Sequence, residues 1–139
     1  MTSMPPSSST PAQIVREYGP FPGATKVAGG THDGHHVWAA VGTHLIAFNP
    51  ENGETVRSLE QPGDAGTAFD GTHLYQIAEA RIDKIDPVTG QVVHTIPAPG
   101  KGNDSGMAWA EGCLWVGQHR ERKIHQIDPA NGAILRTIE

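Results

Sequence analysis

The sequence predicts an all-β fold of β-propeller blades: about three four-stranded antiparallel blades plus an extra N-terminal outer strand, in an incomplete ring. Three observations predict it. The segment Asp33–Leu59 (DGHHVWAAVGTHLIAFNPENGETVRSL) returns as Asp70–Ile96 (DGTHLYQIAEARIDKIDPVTGQVVHTI) and again as Ala110–Ile138 (AEGCLWVGQHRERKIHQIDPANGAILRTI). Pro50, Pro87 and Pro129 mark one position of this repeat, 37 and 42 residues apart, a spacing typical of propeller blades. Gly and Pro are frequent, 17 and 11 in 139 residues, as many short strands joined by many turns require.

The middle copy shows how each blade divides. Gly66–Asp70 is a short inner strand A, and Asp70-Gly71-Thr72 is a tight hairpin signal, because Gly accepts positive φ. His73–Ala78 is strand B, apolar without clean alternation, which suits a sheet covered on both faces. Arg81–Asp86 is strand C. Asp86-Pro87-Val88-Thr89-Gly90 then turns the chain: Pro presets φ, the Asp side chain caps the backbone, and Gly takes the left-handed position. The same turn is spelled Asn49–Gly53 and Asp128–Gly132. Strand D follows as Gln91–Ile96. Trp38, Tyr75 and Trp115 share one strand-B position and are expected to pack between sheets.

Ile14–Tyr18 aligns with strand D of the middle copy, so the chain reads D and then ABCD three times; the alternative is an extended arm packed on blade 1. The expected organisation is a disordered Ser/Pro/Thr-rich tail over 1–13 and a partial propeller over 14–139. Blade 1 covers about 27–59, blade 2 about 64–96 and blade 3 about 104–138. Propellers have about 4–8 blades. Three blades leave an open edge, with Leu114, Trp115, Ile124 and Ile127 on the face of blade 3. Self-association, or a second chain that completes the propeller, is therefore expected.

Composition excludes several classes. A net charge of −5 and the lack of a basic run argue against nucleic-acid binding. No apolar stretch approaches the roughly 20 residues of a membrane span. The start MTSMPPSSSTP has neither the basic nor the apolar region of a signal peptide, so a soluble cytoplasmic chain is expected. Cys113 is single and reads as a small strand residue.

In a propeller the D–A and B–C connections share one end, and the A–B and C–D turns the other. The A–B and C–D turns are uniform here. Blade 3 gains length in Pro97–Asp104 and again in Gln118–Arg122, both at the D–A/B–C end. Loops on a rigid scaffold carry function. The candidate ligand-binding residues are therefore Asn103, Asp104, His119, Arg120 and Glu121, with Asp64 and Glu79 of blade 2; a solvated hairpin tip is the alternative for the second insertion. His32 joins them as the polar counterpart of Phe69 and Trp109 in strand A. Convergence of Asp104, His119 and Arg120 would hold an anionic or amide-bearing ligand and move a proton. The eight histidines show no fixed metal-ligand spacing, and no nucleophile elbow, phosphate loop or dinucleotide fingerprint is present. No metal site, cofactor or catalytic residue is identifiable.

The repeated D-G-x-x-L-W/Y and I-D-P-x-T/N-G-x-V-x-x-T-I patterns, read over Ile14–Glu139, resemble blades of a propeller superfamily. Its members are the streptogramin-lyase-like (virginiamycin B lyase-like), glutamine-cyclotransferase-like and YncE-type (quinoprotein-like) propellers. The resemblance implies the fold more than an activity. Glutaminyl cyclotransferases carry Phe-Thr-Gln-Gly-Leu at a strand-A entry, where this chain has Ala65-Gly66-Thr67-Ala68 and Ser105-Gly106-Met107-Ala108. The streptogramin lyases place His beside Gly there, whereas the entries here read Gly29-Gly30, Ala65-Gly66 and Ser105-Gly106. The expected function is a propeller segment that binds a small molecule, peptide or protein without a complete catalytic set. The alternative implied by the resemblance is a fragment of an acid–base lyase or glutaminyl-peptide cyclotransferase, with a divalent metal under that alternative only.

Overall fold

The computed structural model describes residues 8–139, and among these the regular structure is entirely β. Blade 1 comprises β1 (Gly29–His32), β2 (Val37–Ala40), β3 (Leu45–Phe48) and β4 (Thr55–Leu59). Blade 2 comprises β5 (Thr67–Phe69), β6 (Leu74–Ala78), β7 (Arg81–Ile85) and β8 (Val92–Pro97), and blade 3 β9 (Met107–Ala110), β10 (Cys113–Gln118), β11 (Lys123–Ile127) and β12 (Ile134–Ile138). Each blade is one antiparallel meander with its strands hydrogen-bonded in chain order. The molecule is an incomplete propeller of three blades. No helix among the described residues is long and apolar enough to cross a membrane. Residues 1–7 of the expected tail lie outside the described residues, and 8–13 are exposed without regular structure.

The predicted turn chemistry sets the ladders. Asn49, Asp86 and Asp128 each accept, through side-chain oxygen, the backbone N–H two residues on, at 2.8–2.9 Å. Gly53, Gly90 and Gly132 close these turns at φ of 76–78°, where a Cβ is strained. Each blade carries a register shift in its C–D ladder immediately before the turn.

Two cores lie between blades. Trp38, Ala40, Leu45, Ala47 and Leu59 of blade 1 pack against Leu74 and Ile85 of blade 2. Tyr75, Ile77, Ile82 and Ile96 of blade 2 then meet Leu114, Val116 and Ile127 of blade 3. Each blade thus has a front face turned to the next blade and a back face turned to the previous one. The expected open patch on blade 3 is corrected accordingly. Leu114 and Ile127 are fully buried on the back face, and only Trp115 and Ile124 of the four stand on the free front. Trp115 is half-buried and does not pack between two sheets, because among the described residues no further sheet stands against the front of blade 3.

Ile14–Tyr18 forms no strand, since there is no strand C beside it to pair with. The segment still stands where an outer strand of a preceding blade belongs. Tyr18, Phe21 and Ala24 cover Ala39, Val41, Ile46 and Phe48 on the back of blade 1, with the Tyr18 and Phe48 ring centres 4.9 Å apart. Arg16 donates to Pro50 O at 2.6 Å, and the Tyr18 hydroxyl donates to the same carbonyl. Both the alignment with strand D and the packed-arm alternative therefore describe part of what this segment does.

Candidate functional site

The insertions of blade 3 build two adjoining but different structures. Pro97–Asp104 folds around the Asp104 carboxylate, which accepts the Gly100 N–H through both oxygens at 2.9 and 3.1 Å. Burial pushes the Asp104 carboxyl above its usual range, against hydrogen bonds from Gly100, Gln118 and Gly102 and the nearby His125. His125 is itself buried and hydrogen-bonded to Thr137 at 2.8 Å. Asn103 is exposed at the tip, its N–H donating to Gly100 O at 3.1 Å. Asp104 is thus spent on ordering its own loop.

The second insertion is the β10–β11 hairpin, closed by the Arg122 N–H donating to His119 O at 3.3 Å. His119 and Arg120 are exposed and line an open depression of about 790 Å³ at the edge of blade 3. Arg122, Lys123, Gln118 and Ser105 share its lining, and Gly117, Ile124, Ile138 and Glu139 complete it. Lys123 pairs with Glu139 at 3.5 Å. Asp104 and Glu121 do not line it, but Gln118 joins the two structures by hydrogen-bonding Asp104 from a residue of the lining.

The other candidates stand apart. Asp64 accepts the Glu79 N–H at 3.1 and 3.2 Å and so pins the β6–β7 turn, where Glu79 adopts φ of 55°. The exposed Glu79 side chain pairs with Arg81 at 3.6 Å. His32 ends β1 at the A–B turn, the opposite end of the blade from the two insertions, and its Nδ1 accepts the Gly34 N–H at 2.9 Å. Among the described residues no three His, Cys, Asp or Glu side chains are grouped as a metal site.

The residues that sequence reasoning passed over are Gln118, Arg122 and Lys123. A signal was present: three of the four residues Arg120–Lys123 are cationic in a chain of net charge −5. Strand C begins at Lys123, which carries this charge past the hairpin and onto the first residue of an interior strand of blade 3.

No protein-family model and no curated protein matches this sequence. Solved structures do match. The chain is similar to the glutaminyl cyclase of Myxococcus xanthus at a TM-score of 0.70 and 16% identity, over 81% of this chain and 52% of that one. It is similar to U3-55K at a TM-score of 0.60 and 17% identity, over 81% of this chain and 38% of that one. The chain therefore spans about half the length of the first structure and less of the second. At these identities the likeness establishes the β-propeller fold, and the fold alone.

Proposed function

We propose that this chain is a binding segment of a β-propeller, with the depression on blade 3 as its recognition surface for an anionic or amide-bearing small molecule or peptide. One observation carries the reading: His119, Arg120, Arg122 and Lys123 line one depression of about 790 Å³ with a single acidic residue, Glu139, among them. That volume lies within the roughly 300–1,000 Å³ of ligand sites. A guanidinium offers paired donors to a carboxylate, and Gln118, held by Asp104, offers an oriented amide. The test is calorimetric titration with glutarate and with its diamide. Glutarate affinity should fall at least tenfold in Arg120→Ala/Arg122→Ala and weaken with salt. Equal affinity in the double variant and the parent would refute the reading.

The likeness to a glutaminyl cyclase favours a second reading, a portion of an enzyme that cyclises N-terminal Gln. In that reaction the α-amine attacks the side-chain amide carbonyl, a C–N bond forms and ammonia leaves. A divalent ion belongs to this reading only. Ammonia release from a Gln-initiated peptide, lost in His119→Ala, would favour it over simple binding.

A further inference from the structure

We infer that the front face of blade 3 is built to receive the back face of blade 1 of a second copy of this chain, closing a six-blade ring from two chains, and that residues 16–24 occupy that place until the copy arrives. The inference rests on contacts between blades; the face it uses shares Ile124 and Ile138 with the depression proposed above, so a docked copy would cover part of that depression.

Each blade junction in the chain repeats one set of contacts. Strand D reaches over the C–D turn of the next blade: Arg57 donates to Pro87 O at 2.5 Å, and His94 to Ala130 O at 2.7 Å. Arg136 is the equivalent residue of β12, yet among the described residues it reaches no such carbonyl and lies over the Trp115 ring at 5.8 Å. Near the propeller axis, a Cβ on Gly29 would strike the carbonyl of Ala65, and one on Gly66 the amide of Met107, because the next inner strand lies against each glycine. Gly106, the third of this series, meets nothing within 4 Å among the described residues. Leu59 and Ile96 are 6% and 3% exposed, whereas their counterpart Ile138 is 40% exposed. Leu45 and Ile82 are 1% and 0% exposed against 44% for Ile124. Among the described residues, blade 3 therefore carries a docking face without an occupant.

The complementary surface exists in the same chain. The back of blade 1 is covered by Tyr18, Phe21 and Ala24, and its C–D turn already receives Arg16 at Pro50 O, as Pro87 O receives Arg57. Arg16 and Tyr18 thus stand where Arg136 and Ile138 of an incoming blade 3 would stand. Front and back of every copy are then both used, in two equivalent junctions, and such a head-to-tail contact closes when its rotation allows. Six blades fall within the usual range of about 4–8.

Sedimentation equilibrium of the full 139-residue chain from 1 to 100 µM tests this, using a monomer mass of 14.8 kDa. A reversible monomer–dimer equilibrium is expected. Ile138→Asp, at an exposed position that leaves the monomer folded, should weaken it at least tenfold, and Arg136→Ala should weaken it as well. Arg16→Ala, which loosens the resident segment but keeps Tyr18, should tighten it severalfold. A monomer at every concentration, association indifferent to Ile138→Asp, weaker association in Arg16→Ala, or growth beyond two copies would each overturn the inference. The first of these results would leave further blades of a longer chain as the occupant.

Discussion

The indole N–H of Trp38 donates to Oδ2 of Asp33 at 2.8 Å, while Oδ1 of the same carboxylate accepts the His35 and His36 amides at 2.8 and 2.7 Å. One side chain therefore caps the A–B hairpin and anchors the aromatic that packs toward blade 2. Blade 2 repeats the device, with Asp70 capping through Thr72 and His73 and accepting the Tyr75 hydroxyl at 3.2 Å. Blade 3 has Ala110 at this position, and the Trp115 indole turns to the Ala110 carbonyl at 3.2 Å. The Asp-Gly signal of the sequence is thus a turn signal and a core anchor in one.

Acid stability should report these two carboxylates. Burial raises both, but hydrogen bonds outweigh it, from His36, Trp38 and His35 at Asp33 and from His73, Thr72 and Tyr75 at Asp70. Each is held below its ordinary value, so its contribution is full above the unfolded pKa of about 3.9 and disappears as pH falls through the folded value. The urea midpoint of the parent should exceed that of Asp33→Asn/Asp70→Asn at pH 7. The two should converge as pH falls through the lowered folded values. A gap that persists at low pH would show that the loss is steric.

Much of this fold was legible in the chain. The Asx-Pro-x-x-Gly turns fixed three C–D hairpins, and Asp-Gly fixed the A–B hairpins of blades 1 and 2. Which side of a strand faces which neighbour was not legible. Strands β6 and β7 are apolar on both faces, so Leu74 and Tyr75 look alike although they enter different cores. The same ambiguity makes Leu114 and Ile127 read as open-face residues in the sequence, although both are buried. The site was legible only as loop length: the insertions were visible, but Asp104 turning inward to Gly100 depends on the path of the loop, which no residue pattern encodes.

Tyr75 should titrate late. Burial and the adjacent Asp70 charge push its hydroxyl up to about 12. A group that prefers its neutral form when folded stabilises the protein fully below the unfolded value of about 10, and that stability is lost as pH rises toward 12. Absorbance at 295 nm should show one late phenolate in the folded chain, and Asp70→Asn should move it back toward 10. An unmoved midpoint would assign the shift to burial alone.

Equivalent aromatics should differ in their contribution to stability. Trp38 is 2% exposed between blades 1 and 2, and its truncation to Ala should cost about 3–5 kcal/mol. Trp115 is on the free front of blade 3, and under dilute conditions Trp115→Ala should cost well under half as much. Chemical denaturation of the two variants decides the matter. Equal losses would mean that the front of blade 3 is already covered.

The sharpest contrast is between two glycines at one register position. A Cβ at Gly66 would lie 2.7 Å from Gly106 C and closer still to the Met107 amide, both backbone atoms of the neighbouring inner strand, which cannot turn away as a side chain can. Gly66→Ala must therefore push blades 2 and 3 apart near the axis. It should cost at least the roughly 1–3 kcal/mol of an overpacked core, read from the denaturation midpoint. Gly106→Ala meets open space, and at low micromolar concentration it should change stability by less than about 0.5 kcal/mol. If a second copy docks on blade 3, the same Gly106→Ala should weaken self-association, because the added methyl then meets the partner's inner strand as Gly66 meets Met107. A variant of unchanged monomer stability and reduced association separates a docking surface from a scaffold position, and unchanged association would place the partner away from the axis.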